Sequence, residues 1–467
     1  MCPRRLALTT AATAAALAAT ATLALALTAC GDTRADADAA AATGDAGVDA
    51  TPPDPGPTRY PADTPRSPIT PAVATRLRAI AAAGPAQRDR IFLKAGASGT
   101  VSRNLLYCLA GPDHQPGYRI DLDGRDALQP TIDRFRAELV AGDTSFDRPT
   151  LAAEVGRTAR WVLTGAPSPL DQELAATTPR FAFVNYGTND MEAATSYGAA
   201  LAPFWDAMNE LLDRLEADGV VPIITGLNPR SDRAEATRWV PTWDAVTRAL
   251  AEARQLPYYS LYLASSPLAD AGLLGDGLHG NVLIEAGAAQ PCVFTAAGLA
   301  YNYDVRNLAS LELLDATSRI VLDGAVAPDV APLPPIAGQG TAAAPFVVDR
   351  LPFTHTFTTV GGEALRDGYP GCDAGQDESG PEIVYQLDLA APIRFRAVVL
   401  DGPDVDVDVH VLVDGACVER ADHYLDRALP AGSHRIVVDS FVSGGVAQAG
   451  TYTLVLLTCE VGDAACE

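Results

Sequence analysis

The sequence is poor in positive charge. It has 34 lysine and arginine residues against 58 aspartate and glutamate residues, which gives a net charge of -24 at pH 7. Proteins that bind nucleic acid need clustered lysine and arginine to neutralise phosphates. We therefore expect no nucleic-acid partner, and we interpret the excess of acid as a means of keeping the protein soluble.

The eight cysteines lack the spacing of a metal site, because no Cys-x-x-Cys pair occurs among them. We expect no metal and no cofactor. Six cysteines follow residue 30, and this even number in an exported protein predicts three disulfides with fifteen possible pairings. If each pair stays within one domain, the partners are Cys108 with Cys292, Cys372 with Cys417, and Cys459 with Cys466.

Large apolar side chains are scarce in residues 31–70, which are rich in Ala, Asp, Pro and Thr. Such a segment cannot bury enough surface to offset the entropy of the chain. We therefore predict a disordered tether over residues 30–70.

Residues 1–29 resemble a lipoprotein signal peptide. Two arginines precede a long run of Ala, Leu and Thr, which ends as Leu27-Thr28-Ala29-Cys30-Gly31. The alternative is a plain transmembrane anchor. The resemblance implies an exported lipoprotein that is lipidated on Cys30 and held at the outer membrane or cell surface of a bacterium, because Gly31 rather than an acid follows the cysteine.

Residues 71–324 alternate between short apolar runs and longer helical patterns. This alternation predicts an α/β domain in which helices cover both faces of a parallel sheet. Helices are expected at 71–83, 131–140, 199–218 and 243–254, and strands at 90–95, 181–186, 220–225 and 256–261. Residues 325–345 are rich in proline and alanine and predict a stiff, extended linker.

Residues 346–467 lose the helical periodicity and predict an all-β sandwich. Strands are expected at 383–389, 395–400, 405–413, 434–438 and 451–457. This module loosely resembles bacterial pre-peptidase C-terminal domains in its Asp-x-Asp strand and its closing Gly450-Thr451-Tyr452-Thr453-Leu454. Carboxylates could bind calcium where Asp404, Asp406, Asp408 and His410 alternate with valines. We interpret the pattern as a solvated strand face.

Three polar turns carry the candidate chemistry. Ser98 follows the apolar run Ile91-Phe92-Leu93, Gly187-Thr188-Asn189-Asp190 follows Phe181–Val184, and Asp276-Gly277-Leu278-His279 lies in a Gly-rich loop. Alone, the first motif is commonly a loop and the second a turn, and Asp-x-x-His is commonly a solvated loop or half of a metal site. Their occurrence in this order, at the carboxyl ends of predicted strands, indicates one acyl-transfer site.

The residues resemble the SGNH or GDSL-like hydrolases over roughly residues 88–320. Ser98 matches the first block of that family, Asn189 the third, and Asp276 with His279 the fifth. Gly156 is the better match to the second-block glycine, and Gly142 is its rival. The first block usually reads Gly-Asp-Ser, whereas this chain has Gly96-Ala97-Ser98.

The resemblance implies a three-layer α/β/α domain and a serine esterase. A serine hydroxyl needs a base, so His279 would take the proton of Ser98 and Asp276 would hold the imidazole. The resemblance implies an oxyanion hole made by Ser98, Gly156 and Asn189. Lys94 is interpreted as an exposed charge at a strand end, and Ser102 and His114 as loop residues.

An acylated carbohydrate is the expected substrate, because an enzyme tethered outside the cell with an accessory β-module is well placed to deacetylate polysaccharides. Hydrolysis of lipids or short-chain esters is the alternative activity. A second alternative is a surface glycan-binding lipoprotein whose hydrolase fold has lost its activity.

Overall fold

The computed structural model describes residues 56–372 and 375–459. The signal peptide, Cys30, most of the tether and Cys466 lie outside these ranges. Within the described ranges, no helix is long and apolar enough to cross a membrane.

An α/β domain forms the first part of the described chain. Its strands are β1 (Arg88–Gly96), β2 (Pro179–Asn185), β3 (Val221–Thr225) and β4 (Tyr258–Tyr259), which pair in parallel in the order β1-β2-β3-β4. The helices are α1 (Pro71–Ala83), α2 (Ser98–Val101), α3 (Gln129–Arg136), α4 (Ala159–Val162), α5 (Pro169–Thr177), α6 (Leu201–Ala217), α7 (Ala234–Arg254), α8 (Leu261–Ser265) and α9 (Asn302–Leu322). The predicted α/β fold is confirmed.

Local signals explain where the helices begin. Thr70 caps α1 by accepting from the Val73 N–H, and Pro71 occupies the first turn, where its missing N–H costs nothing. Ser168 and Asp171 form a capping box at the start of α5. The long helix α6 buries its apolar side chains at helical spacing and packs them into the core beside the sheet.

Two helices differ from the prediction. Helix α7 begins at Ala234 rather than at residue 243, and it contains Pro241. Burial of Trp239, Val240 and Trp243 outweighs the penalty of a proline inside the helix. Helix α3 ends at Arg136 rather than at residue 140, and residues 140–143 form a tight turn instead.

The C-terminal module is a two-sheet β-sandwich, as predicted. Its strands are β7 (Phe346–Val347), β8 (Phe353–Thr358), β9 (Glu382–Leu389), β10 (Ile393–Asp401), β11 (Val407–Val413), β12 (Ala416–Ala421), β13 (Tyr424–Leu429), β14 (Gly432–Ser440) and β17 (Thr451–Thr458). One sheet has the order β13-β10-β17-β8 and the other β12-β11-β14-β9-β7. Two-stranded ribbons join β15 (Val442–Ser443) to β16 (Val446–Ala447), and in the α/β domain β5 (Ile284–Glu285) to β6 (Ala288–Ala289). The likeness of the module to pre-peptidase domains stays a prediction.

The tether prediction is wrong for residues 56–70. Tyr60 is buried, and its hydroxyl donates to the Leu256 carbonyl while its N–H donates to Glu252. Arg59 forms an ion pair with Asp349 at 2.8 Å. The segment is poor in large apolar groups, but specific polar contacts and a few buried side chains fix it to the folded domains.

The solvated strand face is also a wrong interpretation for part of β11. Asp408 and His410 are buried, at 1% and 0% exposure, whereas Asp404 is exposed. The cause is the segment before β9, which lies over this face of the sheet and includes the buried Tyr369 and Glu378.

The sandwich packs directly against the α/β domain. Val398, Leu400, Val455 and Leu457, from strands β10 and β17, belong to the same apolar core as the α/β domain. Between the domains, the fully buried Arg396 forms an ion pair with Asp426, donates to the Thr242 hydroxyl and lies 3.6 Å from the centre of the Trp239 ring. The two domains therefore share one packed interface.

Two of the predicted disulfides are present. Cys108 is bonded to Cys292 in the α/β domain, and Cys372 to Cys417 in the sandwich. The third pair, Cys459 with Cys466, stays a prediction.

Candidate active site

The structure brings Ser98, His279 and Asp276 together at the carboxyl edge of the sheet. Ser98 follows β1 and begins α2. His279 Nε2 lies 3.1 Å from Ser98 Oγ, and His279 Nδ1 lies 2.8 Å from Asp276 Oδ2. These are hydrogen-bond distances in the order that a serine nucleophile, its base and the residue orienting that base require.

Backbone hydrogen bonds hold Asp276 in its ionised form. The N–H groups of His279 and Leu278 both donate to Asp276 Oδ1 at 3.0 Å. Together with the His279 side chain they lower the pKa of Asp276 to about 2. Asp276 is therefore a carboxylate whenever His279 needs an acceptor for its second ring proton.

Backbone hydrogen bonds fix both sides of the loop that carries Asp276 and His279. The Leu274 N–H donates to the His279 carbonyl, and the Gly277 carbonyl accepts from Ser231. Gly277 has a φ of +68°, and a Cβ there would lie 2.7 Å from the Asp232 nitrogen. Glycine is needed at this position because both the backbone angle and the close approach exclude a side chain.

The proposed oxyanion residues lie on neighbouring segments. The Gly96 N–H donates to the Ala152 carbonyl and the Gly96 carbonyl accepts from Glu154, so the chain that leads to Gly156 runs beside the end of β1. The Asn189 side-chain amide donates to the Arg157 carbonyl at 3.0 Å. Asn189 and Gly156 are thereby neighbours, whereas Gly142 lies in the separate turn at residues 140–143.

Asp190 links these segments. Its carboxylate accepts from the N–H groups of Ala159 and Gly187, both at 2.9 Å. Burial raises the pKa of Asp190 to about 6, and the two backbone donors oppose that shift. Asp190 thereby fixes the position of Asn189 relative to Gly156, a role that the sequence pattern of its turn does not indicate.

A cavity of about 30 Å³ opens beside the serine. Both polar and apolar residues form its walls. They are Ala97, Ser98, Gly99, Asn185, Tyr186, Thr188, Asn228, Leu261, Leu278, His279, Gly280, Tyr303 and Arg306. His279 and Asp276 remain open to solvent, with side chains 40% and 49% exposed. The cavity beside Ser98 is therefore small, whereas His279 and Asp276 lie on a side of the site that is open to solvent.

Sequence reasoning misses Asn185 and Arg306. Arg306 is buried, and its guanidinium donates to the Gly99 carbonyl at 3.2 Å and to Asn185 Oδ1 at 2.9 Å. Asn185 in turn donates to the carbonyls of Thr225 and Gly226. The position of Asn185 directly after the apolar run of β2 is a usable signal, but nothing in the sequence pairs it with an arginine on α9.

The groups that act on the charge of the Arg306 guanidinium are tyrosines rather than carboxylates. Burial lowers its pKa, and the neighbouring phenols of Tyr303 and Tyr259 oppose that shift. Its Nε atom is buried with no hydrogen-bond partner among the residues that the structure describes. A guanidinium thus lies under the turn that presents Ser98.

The interpretation of Lys94 as an exposed charge is wrong. Lys94 is 2% exposed, its ammonium donates to the Phe146 carbonyl at 2.7 Å, and burial lowers its pKa to about 7. The strand end is covered by the segment around residue 146, so Lys94 is a packed residue rather than an exposed charge. Ser102 and His114 do not line the cavity beside Ser98.

Residues 115–284 match the model of the GDSL-like lipase/acylhydrolase family. The chain thus carries a GDSL-like domain and is a hydrolase of ester bonds. The matched range contains Gly156, Asn189, Asp276 and His279 and begins after Ser98. A comparison of the sequence with curated proteins gives no significant match.

Several solved structures are similar to the chain. A GDSL-like lipase from Bacteroides thetaiotaomicron is 14% identical, over 52% of this chain and 98% of its own, with a TM-score of 0.31. A catalytic mutant of an acetylxylan esterase from Geobacillus stearothermophilus is 13% identical, over 48% of this chain and 93% of its own, with a TM-score of 0.31. A two-domain esterase active on acetylated mannans is 12% identical, over 84% of this chain and 96% of its own, with a TM-score of 0.28.

Proposed function

We propose that the chain is a serine esterase in which Ser98 is the nucleophile. The observation that supports this most directly is the continuous hydrogen-bonded series from Ser98 through His279 to Asp276. His279 takes the proton of Ser98 as the hydroxyl attacks the ester carbonyl, and it later returns a proton to the leaving alcohol. A water molecule then attacks the acyl-enzyme by the same route.

The oxyanion would be stabilised by the N–H groups of Ser98 and Gly156 and by the side-chain amide of Asn189. Hydrogen-bond donors that are fixed before the reaction are effective, because they need no rearrangement as the charge develops. Asp190 supports this arrangement by tying the Asn189 turn to the segment after Gly156.

We propose that the acyl group is acetyl. The cavity beside Ser98 measures about 30 Å³. Since one water molecule needs about 10–15 Å³ on the same measure, the cavity has room for a group of two or three heavy atoms. The exposure of His279 and Asp276 leaves space for a large alcohol, which favours an acetylated carbohydrate over a long-chain lipid.

The test is hydrolysis of p-nitrophenyl acetate, butyrate and octanoate by the wild type and by Ser98→Ala, His279→Ala and Asp276→Asn variants. We expect each variant to lose at least about a hundredfold in kcat with unchanged circular dichroism. Wild-type kcat/KM should fall steeply from acetate to octanoate. Ser102→Ala is the matched control, because that serine lies near Ser98 but does not line the cavity.

Retention of activity in Ser98→Ala would contradict the mechanism, and preference for octanoate would contradict the acetyl pocket. A fluorophosphonate probe separates a wrong substrate from an inactive serine, because the probe labels only an activated serine. Deacetylation of acetylated xylan and mannan by the wild type, measured as released acetate, then tests the carbohydrate itself.

We also propose that the protein is an exported lipoprotein, lipidated on Cys30. Mass spectrometry of the N-terminal peptide from membranes of expressing bacteria tests this, with Cys30→Ser as the unlipidated control. Recovery of an unmodified Cys30 peptide from the membrane fraction would rule out the lipid anchor.

A further inference from the structure

The cavity beside Ser98 contains more hydrogen-bonding groups than an acetyl group can use. Asn228 and Tyr303 are both among its wall residues. The methyl group of an acetyl ester can neither donate nor accept a hydrogen bond, so a polar atom that it covers loses the water that otherwise pairs with it. The hydrogen bonds of the wall residues therefore indicate which polar atoms are left for a substrate.

Several polar side chains of the cavity wall already have partners. Ser98 is hydrogen-bonded to His279. The Asn185 amide donates to two backbone carbonyls, and its oxygen accepts from Arg306. Tyr186 donates its hydroxyl to a backbone carbonyl. These groups hold the site together.

Asn228 has a side-chain amide whose oxygen is engaged and whose nitrogen is not. Asn302 Nδ2 donates to Asn228 Oδ1 at 3.0 Å and to Ser265 Oγ at 2.8 Å. Asn302 is fully buried, and its own N–H donates to Asn281 Oδ1 at 2.9 Å. A fixed neighbour thus orients Asn228, whereas Asn228 Nδ2 makes no hydrogen bond to any residue that the structure describes.

The Tyr303 hydroxyl is a second unpaired group. Tyr303 is buried, and its backbone N–H donates to the Asn281 carbonyl at 3.0 Å, so the segment around Asn281 supports both Tyr303 and Asn228. Its hydroxyl makes no hydrogen bond within the described residues. The Thr188 hydroxyl shares this property, but it lies in the turn of the proposed oxyanion residue Asn189.

A hydroxyl on the second carbon of the acyl group would pair with these groups. The cavity of about 30 Å³ has room for two or three heavy atoms, since one water molecule needs about 10–15 Å³. Beyond the carbonyl, a glycolyl group and a propionyl group are of equal size. Only glycolyl carries a hydroxyl, which can accept from Asn228 Nδ2 and bond to the Tyr303 hydroxyl.

We propose that the site hydrolyses esters of short 2-hydroxy acids, of which glycolyl is the smallest, in preference to unsubstituted acyl groups of equal size. Asn228 and Tyr303 determine this specificity. A site that is built to hydrogen-bond a substrate hydroxyl rejects the analogue that lacks it, because polar groups of the site are then left unpaired. Acetyl remains a substrate, because the smaller methyl group leaves room for a water molecule at the position of the hydroxyl.

The proposal rests on the proposed serine mechanism and adds no step to it. Ser98 attacks the glycolyl ester, and the alcohol leaves with a proton from His279. Water then cleaves the glycolyl-enzyme, which releases glycolate and restores the Ser98 hydroxyl.

The experiment compares ethyl acetate, ethyl glycolate and ethyl propionate as substrates of the full chain, with acid release followed in a pH-stat. The measured quantity is the ratio of kcat/KM for glycolate to that for propionate. Division by the same ratio for alkaline hydrolysis removes the intrinsic reactivity of the esters. We expect a corrected ratio of at least about ten for the wild type and a fall of about fivefold in Asn228→Leu and in Tyr303→Phe.

Tyr301→Phe is the matched control, because Tyr301 lies two residues before Tyr303 but does not line the cavity. Its corrected ratio should equal that of the wild type. Melting temperature checks the folding of each variant. If Asn228→Leu does not fold, Tyr303→Phe carries the test, because it removes a single oxygen atom.

A corrected wild-type ratio near one would overturn the proposal, as would an unchanged ratio in both variants. In either case, hydrolysis of ethyl acetate that disappears in Ser98→Ala would leave the serine mechanism intact. Fluorophosphonate labelling of Ser98 without hydrolysis of any of the three esters would reject the acyl preference but not the activated serine. Absence of both labelling and hydrolysis would reject the serine esterase and the proposal with it.

Discussion

At the scale of single residues, the candidate nucleophile and its base are predictable and their supports are not. Ser98 directly follows an apolar run, and Asp276 and His279 lie three residues apart in one loop, so local patterns are enough to find them. Arg306 contacts the nucleophile turn across a separation of 207 residues. Such a contact depends on how α9 packs against the sheet, and no local pattern contains that information.

The first prediction concerns Arg306. We expect Arg306→Met to lower kcat for acetyl esters by about tenfold to a hundredfold, because the Gly99 carbonyl and Asn185 lose the donors that fix the turn beneath Ser98. The melting temperature should stay unchanged or rise, since a buried cation without a carboxylate partner is costly to desolvate. Steady-state kinetics and thermal unfolding measure the two effects.

Arg319→Met is the matched control on the same helix, where the side chain is 58% exposed and pairs with Asp315. It should change neither kcat nor Tm. A parallel loss of activity and stability in Arg306→Met would assign Arg306 a purely structural role.

At the scale of elements, strand ends could be predicted better than the segments between them. The run of four parallel strands follows from short apolar stretches separated by helices. Within the described residues, the segment 152–159 pairs with the sheet only at Gly96. Hydrogen bonds to Gly96, Asn189 and Asp190 therefore fix its place beside Ser98. The sequence therefore leaves the choice between Gly156 and Gly142 open, and in the structure Gly156 is the one that lies beside Asn189.

The second prediction compares these two glycines. Gly156 has a φ of +79° and Gly142 a φ of +98°, and a Cβ at either position would meet open space. Alanine at both positions therefore introduces similar backbone strain, of about 1–2 kcal/mol. We expect kcat for p-nitrophenyl acetate to fall at least about tenfold in Gly156→Ala, because the strain displaces the proposed oxyanion donor, and to stay unchanged in Gly142→Ala. Equal activities at equal Tm would remove Gly156 from the oxyanion hole.

At the scale of the whole molecule, the division into an α/β part and a β part is predictable and the interface between them is not. Val398, Leu400, Val455 and Leu457 stand between residues that face the sandwich core, so both faces of β10 and β17 are apolar, but this pattern does not say which element covers the outer face. In addition, Tyr60 and Arg59 belong to a segment whose composition indicates disorder, yet they contact α7 and the start of the sandwich.

Glu252 lies where these three parts meet, and it makes the stability of the whole molecule depend on pH. Its carboxylate accepts from the Tyr60 N–H at 2.7 Å and from the Thr354 hydroxyl at 2.9 Å. Burial raises the pKa of Glu252 from 4.5 to about 7. A raised pKa means that the folded state binds the proton more tightly than the unfolded state. The contribution of this group to stability is therefore complete below pH 4.5 and is lost as the pH rises to about 7.

The last prediction is that Glu252→Gln flattens this dependence. We expect the free energy of unfolding of the wild type, measured by denaturant titration from pH 4.5 to 8, to fall more steeply with pH than that of the variant, because the amide does not titrate. Glu235→Gln, on the exposed first turn of the same helix, should follow the wild-type curve. If the difference in unfolding free energy between the wild type and Glu252→Gln were constant across the pH range, the proton on Glu252 would have no part in joining residues 56–70, α7 and the sandwich. If the difference grows between pH 5 and 7 in the variant's favour, acidification strengthens the junction on which the packing of the two domains depends.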